Sequence, residues 1–318
     1  MLEVLKTMES GLTSLSMKTV EPGSWVNLIH PTHEELLEVE KLTGAPSDFI
    51  RAALDPEETS RIEVEDDQIL VLVNVPVDRE PGNDEYDTIP LGIIVTPDYI
   101  VTICQKDNAV FDPFARNRYR AFSTFKRTRF LFQLLYCSAA LFLKDLRQIT
   151  RKSDIIEKDL RQSMKNKELF QLLGLQKGLT YYSISLRSNK VVVERLLRVC
   201  SNPQLAHIIK IREEDEDLLD DVRIEYDQGI EMAQVQTDVL AGMMDAFGSV
   251  ISNNLNIVMK FLASVTIVLA VPTMISGLWG MNVPVPWAHN PLGFLYALLL
   301  ALVISIVLAV YLWKKDFF

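Results

Sequence analysis

Two stretches late in the chain, residues 261–279 and 292–313, carry no formally charged side chain. Each is close to the ~20 residues a helix needs to cross ~30 Å of hydrocarbon. Buried helices of soluble domains are usually shorter and amphipathic, so both runs are read as transmembrane helices. Lys260 precedes the first, Lys314 and Lys315 follow the second, and the connecting residues 283–293 contain no Lys or Arg. That asymmetry puts both termini in the cytoplasm. Trp279, Trp287, Tyr311 and Trp313 fall near the span ends, where amphipathic rings favour the headgroup layer. The opening MLEVLKTMESGL lacks the apolar centre of a signal peptide.

The 42 acidic against 32 basic residues give a formal net charge of −10, a balance that opposes nucleic-acid binding and favours cationic partners. Cys104, Cys137 and Cys200 are widely separated and lack metal-ligand spacing, which fits a reducing compartment and structural burial. His30, His33, His207 and His289 form no HExxH pair, and the chain holds no Walker loop, GxGxxG or G-x-S-x-G elbow. An enzyme reading has no motif to stand on.

Thr32-His33-Glu34-Glu35 offers a capping box for a helix ending near Gly44, and Pro46-Ser47-Asp48 starts another. Residues 1–29 are weakly patterned. Apolar, β-branched runs at 68–75, 91–95 and 99–103 read as strands, the last two separated by the turn Thr96-Pro97-Asp98. These elements make an α/β domain over 1–129. Its basic end, with Arg116, Arg118, Arg120, Lys126, Arg127 and Arg129, reads as the solvated face of a helix rather than a phosphate site. Residues 130–204 have helical periodicity interrupted only by Gly174 and Gly178, which implies a hairpin of two long helices. After Asn202-Pro203, a third helical stretch enters through Glu213-Glu214-Asp215-Glu216-Asp217 and meets no proline before Pro272. It reads as one helix: a stalk over 205–258 continuing as the first span over 259–280. A loop at 281–291, the second span at 292–313 and a tail at 314–318 complete the chain.

Steps of four and three residues along this helix visit Asp238, Gly242, Asp245, Ser249, Ser252, Asn256, Met259, Ala263, Thr266, Ala270, Thr273, Gly277 and Gly280. A 3.5-residue stripe is the address of a helix–helix seam, yet its occupants are mostly small or polar. Small residues permit close packing between spans. Asp238 and Asp245, however, would repel one another across a dry seam. A water-filled axis lined by oxygen atoms suits them better, and two spans per chain enclose such an axis only by oligomerising.

The chain resembles the CorA-type magnesium channels. The resemblance rests on Gly280-Met281-Asn282 at the outer end of the first of two C-terminal spans, on Ser252-Asn253 and Val258-Met259-Lys260 entering the membrane, on Pro272-Thr273 within it, and on Lys314-Lys315. A weaker match covers 61–75. The resemblance implies a funnel-shaped homopentamer in the inner (plasma) membrane: an N-terminal cytosolic α/β domain, a long-helix hairpin, and a stalk helix continuing into a two-helix transmembrane domain. Gly280, Met281 and Asn282 would form the selectivity filter, with Gly280 keeping the backbone close at a crowded turn; a helix C-cap is the plainer role for Asn282. Asp245, Asn256, Thr266 and Thr273 would line the pore, and Met259 and Leu262 would form an apolar gate. Asp221 matches a residue that binds regulatory Mg²⁺ between subunits, with Glu85, Asp87 or Asp66 as its partner acid; most acids in 213–227 read as a solvated helix face. Two departures stand out: the outer loop has no acid, and Trp279 replaces the tyrosine that often precedes the motif. The transported and regulatory ion would be Mg²⁺. Two other readings stay open, a Co²⁺, Ni²⁺ or Zn²⁺ transporter on the same scaffold and a membrane-anchored divalent-cation sensor.

Overall fold

The computed structural model describes residues 1–9, 11–77, 86–115, 119, 122–163, 166–287 and 290–315, with the side chains of 161–163 and 166 left aside. They form two compact units, Met1–Gly242 and Met243–Phe318.

The first unit is built on a seven-stranded sheet: β1 (Leu2–Met8), β2 (Gly11–Leu15), β3 (Trp25–Ile29), β4 (Arg61–Glu65), β5 (Gln68–Pro76), β6 (Thr88–Val95) and β7 (Ile100–Cys104). The strand order is β2-β1-β3-β7-β6-β5-β4. All pairings are antiparallel except β3 with β7, which aligns Trp25 with Ile100 and Ile29 with Cys104. The weakly patterned residues 1–29 thus supply three strands. Between β3 and β4 lie α1 (His33–Thr43) and α2 (Ser47–Ala52). In α1 the capping box is complete: the Glu35 amide donates to Thr32 Oγ1, and the Thr32 amide donates to the Glu35 carboxylate. That hydrogen bond lowers the Glu35 pKa, helped by the N-terminal amine and opposed by burial. Gly44 ends the helix at φ 65°, a left-handed conformation that a side chain disfavours.

The sheet is covered on both faces, which explains its near-continuous apolar strands. One face packs Val26, Leu28, Leu70, Leu72, Ile94, Val101 and Ile103 against Val39, Phe49, Ile50 and Ala53. On the other, Trp25 meets Phe111, Phe114, Phe122 and Phe130 at ring separations of 5.0–6.4 Å, while its indole N–H donates to Thr102 Oγ1 at 2.7 Å. A short helix, α3 (Asp112–Ala115), precedes two long ones, α4 (Arg127–Ser163) and α5 (Asn166–Cys200). Gly174 and Gly178 lie inside α5, so neither breaks the hairpin. Arg116, Arg118 and Arg120 fall outside the described residues. Arg129 corrects the solvated-face reading: it pairs with Asp215 at 3.2 Å and Glu214 at 3.3 Å. Asp215 is itself buried, so this acid is not part of a solvated face either.

Helix α6 runs unbroken from Glu213 to Trp279, 67 residues and about 100 Å at 1.5 Å per residue. Its first part is tied to α4 and α5 by buried polar contacts. The Tyr226 hydroxyl donates to Ser138 Oγ on α4 at 3.2 Å and accepts from Asn189 Nδ2 on α5 at 3.5 Å. Burial pushes this phenol up to about 12, so it stays a neutral donor. Asn189 also holds β5, accepting from the Asn74 amide at 2.9 Å and donating to the Asn74 carbonyl at 2.7 Å, and it accepts from Ser60 Oγ at 2.9 Å. One carboxamide therefore joins sheet, hairpin and stalk. Burial likewise pushes the Cys137 and Cys200 thiols up to about 12, which leaves them protonated.

Replacing Asn189 by Leu keeps its branching but strands the Asn74 backbone groups, at an expected cost of about 2–4 kcal/mol, while Tyr226→Phe is expected to cost about 1 kcal/mol. Thermal unfolding of the detergent-solubilised protein should show a clearly larger loss for Asn189→Leu; equal midpoints for both variants and the native chain would contradict this role.

Candidate functional site

The second unit contains the remainder of α6 and α7 (Gly293–Lys314), and these two helices are long and apolar enough to cross a membrane. Along α7, small residues recur every four positions: Gly293, Ala297, Ala301, Ser305 and Ala309. The first three are buried. This ladder faces α6, and its Ser305 reaches the α6 backbone through a hydrogen bond. The sequence reading missed it, although the four-residue spacing was visible in the chain.

On α6 the matching face is Ser264, Val268, Val271 and Ile275, buried or half-buried. Pro272 has no N–H to give the Val268 carbonyl, and Ser305 Oγ on α7 donates to that oxygen at 3.5 Å. In hydrocarbon an orphaned carbonyl is costly, so the second span repairs a defect in the first.

The polar stripe lies on the other side of α6. Met259, Ala263, Thr266, Ala270, Thr273, Gly277 and Gly280 are all exposed, and at 100° per residue they average roughly 160° from the α7-facing set. The stripe is therefore not the surface that packs the chain's own second span. Asp245 and Asn256, nearer the start of this unit, are also exposed, as is Leu262. Thr266 and Thr273 donate their hydroxyl hydrogens to the carbonyls of Leu262 and Leu269, at 2.8 and 3.0 Å. Each threonine oxygen is left with acceptor capacity, the polarity that a hydrated cation's water hydrogens require.

Past Trp279, the Gly280 amide still bonds to the Ser276 carbonyl at 2.9 Å, and Met281 bonds weakly to Leu278. A Cβ built on Gly280 would come no closer than 3.4 Å to any heavy atom of its own chain, an ordinary contact. Any crowding at this turn must come from elsewhere. Asn282 lies beyond the helix end, exposed, with no hydrogen bond from its side chain among the described residues. It does not serve as a side-chain cap for α6. The loop that follows is clamped by rings: Trp287 sits 6.0 Å from Trp279 and 5.9 Å from Tyr296. Gly293 is required here, since a Cβ would reach within 2.4 Å of the Trp287 carbonyl oxygen.

In the first unit, Asp221 is exposed on α6. It lies close enough to Tyr136 that, after burial and Glu225, its carboxylate helps raise that phenol's pKa. Of its suggested partner acids, Asp66 occupies the β4–β5 turn at φ 45° and Asp87 caps the Thr88 amide; Glu85 falls outside the described residues. Among the described residues no three His, Cys, Asp or Glu side chains gather to hold a metal. A cation at Asp221 would need oxygen atoms from outside this group.

Comparison with known proteins fits this arrangement. The family model described as CorA-like Mg2+ transporter protein matches residues 21–315. The chain is 28% identical over 310 residues to the cobalt/magnesium transport protein CorA of Methanocaldococcus jannaschii, covering 92% of this chain and 90% of that one. The Thermotoga maritima protein of the same name is 24% identical over 303 residues, covering 92% and 83%. The complete structure of the Methanocaldococcus jannaschii CorA magnesium transporter superposes with a TM-score of 0.83 at 25% identity, covering 99% of this chain and 98% of that one. The N-terminal α/β domain, the long helices and the two spans are shared, and the chain belongs to the family of CorA-like Mg2+ transporter proteins.

Proposed function

We propose that the chain forms a homopentameric channel in the inner (plasma) membrane, with both termini cytoplasmic, that carries hydrated Mg²⁺ inward. The observation that carries this reading is the exposed polar stripe of α6, half a turn away from the face that packs α7. Five such stripes around an axis give a wet path, whereas a lone chain would turn the threonine oxygens of the span toward lipid. The membrane potential supplies the drive, about 2.3 kcal/mol per charge per 100 mV and roughly twice that for a divalent ion.

In this reading Gly280, Met281 and Asn282 form the outer filter. Mg²⁺ dehydrates reluctantly and keeps an octahedral shell at ~2.0–2.1 Å, so a ring of neutral amide oxygens from Asn282 accepts hydrogen bonds from the ion's waters without stripping them. Thr273, Thr266 and Asn256 continue the oxygen lining. Met259 and Leu262 make an apolar constriction that closes by dewetting, and Asp245 draws the cation onward. Asp221 offers a hard carboxylate oxygen between copies. When a cation relieves repulsion between Asp221 and a neighbour's acid, the closed arrangement is favoured, so depletion opens the channel.

Relatives named cobalt/magnesium transport proteins favour Co²⁺ as a second cargo. Ni²⁺ and Zn²⁺ would follow on the same scaffold, because transition metals bind most sites more tightly. Co²⁺ and Ni²⁺ competition against Mg²⁺ flux into dye-loaded liposomes separates these cargoes. No flux of any divalent ion would leave the sensor reading.

Asn282→Ala is expected to lower Mg²⁺ influx at least tenfold in liposomes while the oligomer persists, since it removes an oxygen ring and little buried surface. Influx equal to that of the native chain would remove Asn282 from the filter. For Asp221, protease protection of the native protein should grow with Mg²⁺, by ~1.4 kcal/mol per tenfold rise beyond saturation for each site. Asp221→Ala should lose that dependence and Asp221→Lys should stay protected without metal; one titration curve shared by all three would exclude Asp221 from regulation.

A further inference from the structure

Helix α5 carries a stripe of large apolar side chains that is exposed among the described residues. One side of the helix packs on β4, β5 and α4. Yet Phe170, Leu173, Tyr181, Ile184 and Val191 remain exposed, Phe170 by 68% and Ile184 by 58%. At 100° per residue the five positions fall within roughly 80° of arc and extend over about 30 Å of helix. Single exposed apolar residues are ordinary, but a contiguous stripe of this length is a docking face.

Helix α6 has a complementary face. Ile224, Val235 and Val239 are exposed on the side away from the buried Val222, Tyr226, Ala233 and Leu240. The charges are also complementary. The α5 stripe is interleaved with Lys177 and Arg195, whereas between residues 213 and 245 α6 carries many Asp and Glu and a single basic residue, Arg223. Opposite potentials of this kind select a partner and fix its register.

We infer that α5 of one copy docks on the outer face of α6 of a neighbouring copy. This rests on the oligomeric reading above, in which α6 of every copy runs along the channel axis. Within a chain, Arg187 bonds to Gln234 and Lys190 pairs with Asp227, so α5 and α6 are antiparallel and their relative heights are fixed. Rotation about an axis parallel to α6 preserves height. Ile184 of one copy therefore meets Val235 of the next, Tyr181 meets Val239, and Arg195 comes level with the acids at Asp221 and Glu225. The stalk interface is thus an apolar strip with a cationic helix laid on an anionic one.

The test co-expresses two full-length chains with different tags, Ile184→Cys and Val235→Cys, both with Cys200→Ser, and oxidises the membranes. The expected product is a disulfide-linked dimer containing both tags, with neither variant cross-linking when expressed alone. A mixed dimer that fails to form while an amine-reactive reagent still captures oligomers overturns the α5–α6 contact and leaves the oligomeric reading standing. Capture of monomers alone overturns both. A dimer from Ile184→Cys by itself means that α5 meets α5 and also overturns the inference. As a check on charge, Ile184→Glu should raise the monomer fraction at least tenfold more than Ile184→Lys, because only the carboxylate faces like charge; equal effects would contradict the pairing.

Discussion

A helix that crosses hydrocarbon cannot leave polar oxygen atoms facing lipid, and most of this structure can be understood from how α6 meets that constraint. Its apolar face, with Ser264 and Val268, is taken by the small-residue ladder of α7, and the carbonyl freed by Pro272 is met by Ser305. The opposite face, with Thr266, Thr273 and the glycines at 277 and 280, is exposed among the described residues. Water or other copies must cover it. Such a face on a two-span chain is the physical ground on which the proposed oligomeric ion path rests.

The same helix is anchored in the first unit. Tyr226 and Asn189 bind its first part to the hairpin and to β5, and Arg129 holds its start through Asp215. The Tyr226 and Asn189 contacts are buried, so they join α6 to the hairpin and the α/β domain within the first unit. Asp221 therefore sits on a helix held by buried contacts rather than on a loop. Asp221, Thr266 and Thr273 all lie on this one helix, which runs from Glu213 to Trp279.

Much of this was legible in the residues themselves. The Thr32 capping box, the uncharged spans and the unbroken third helix are local signals, each set by neighbours a few positions away. The first three strands were not legible, because β1 turns Lys6 inward, where Glu21 neutralises it, and so breaks the alternation that marks a half-buried strand. Asp215 looked like one more surface acid, since its partner Arg129 is far away in sequence. The α7 ladder was hidden in a uniformly apolar run, where Ala and Ser draw no notice unless counted in fours. In the candidate site, Gly280-Met281-Asn282 and the stripe could be read directly.

The most direct test of the account is which face of α6 is wet. Single cysteines at Thr266, Thr273, Ile267 and Leu278, in a Cys200→Ser background, can be exposed to a membrane-impermeant thiol reagent in Mg²⁺-depleted proteoliposomes. The stripe positions Thr266 and Thr273 should label at least tenfold faster than Ile267 and Leu278, which are exposed in one chain but lie off the stripe. Equal labelling, or faster labelling at Ile267 and Leu278, would contradict a water-filled path along this face.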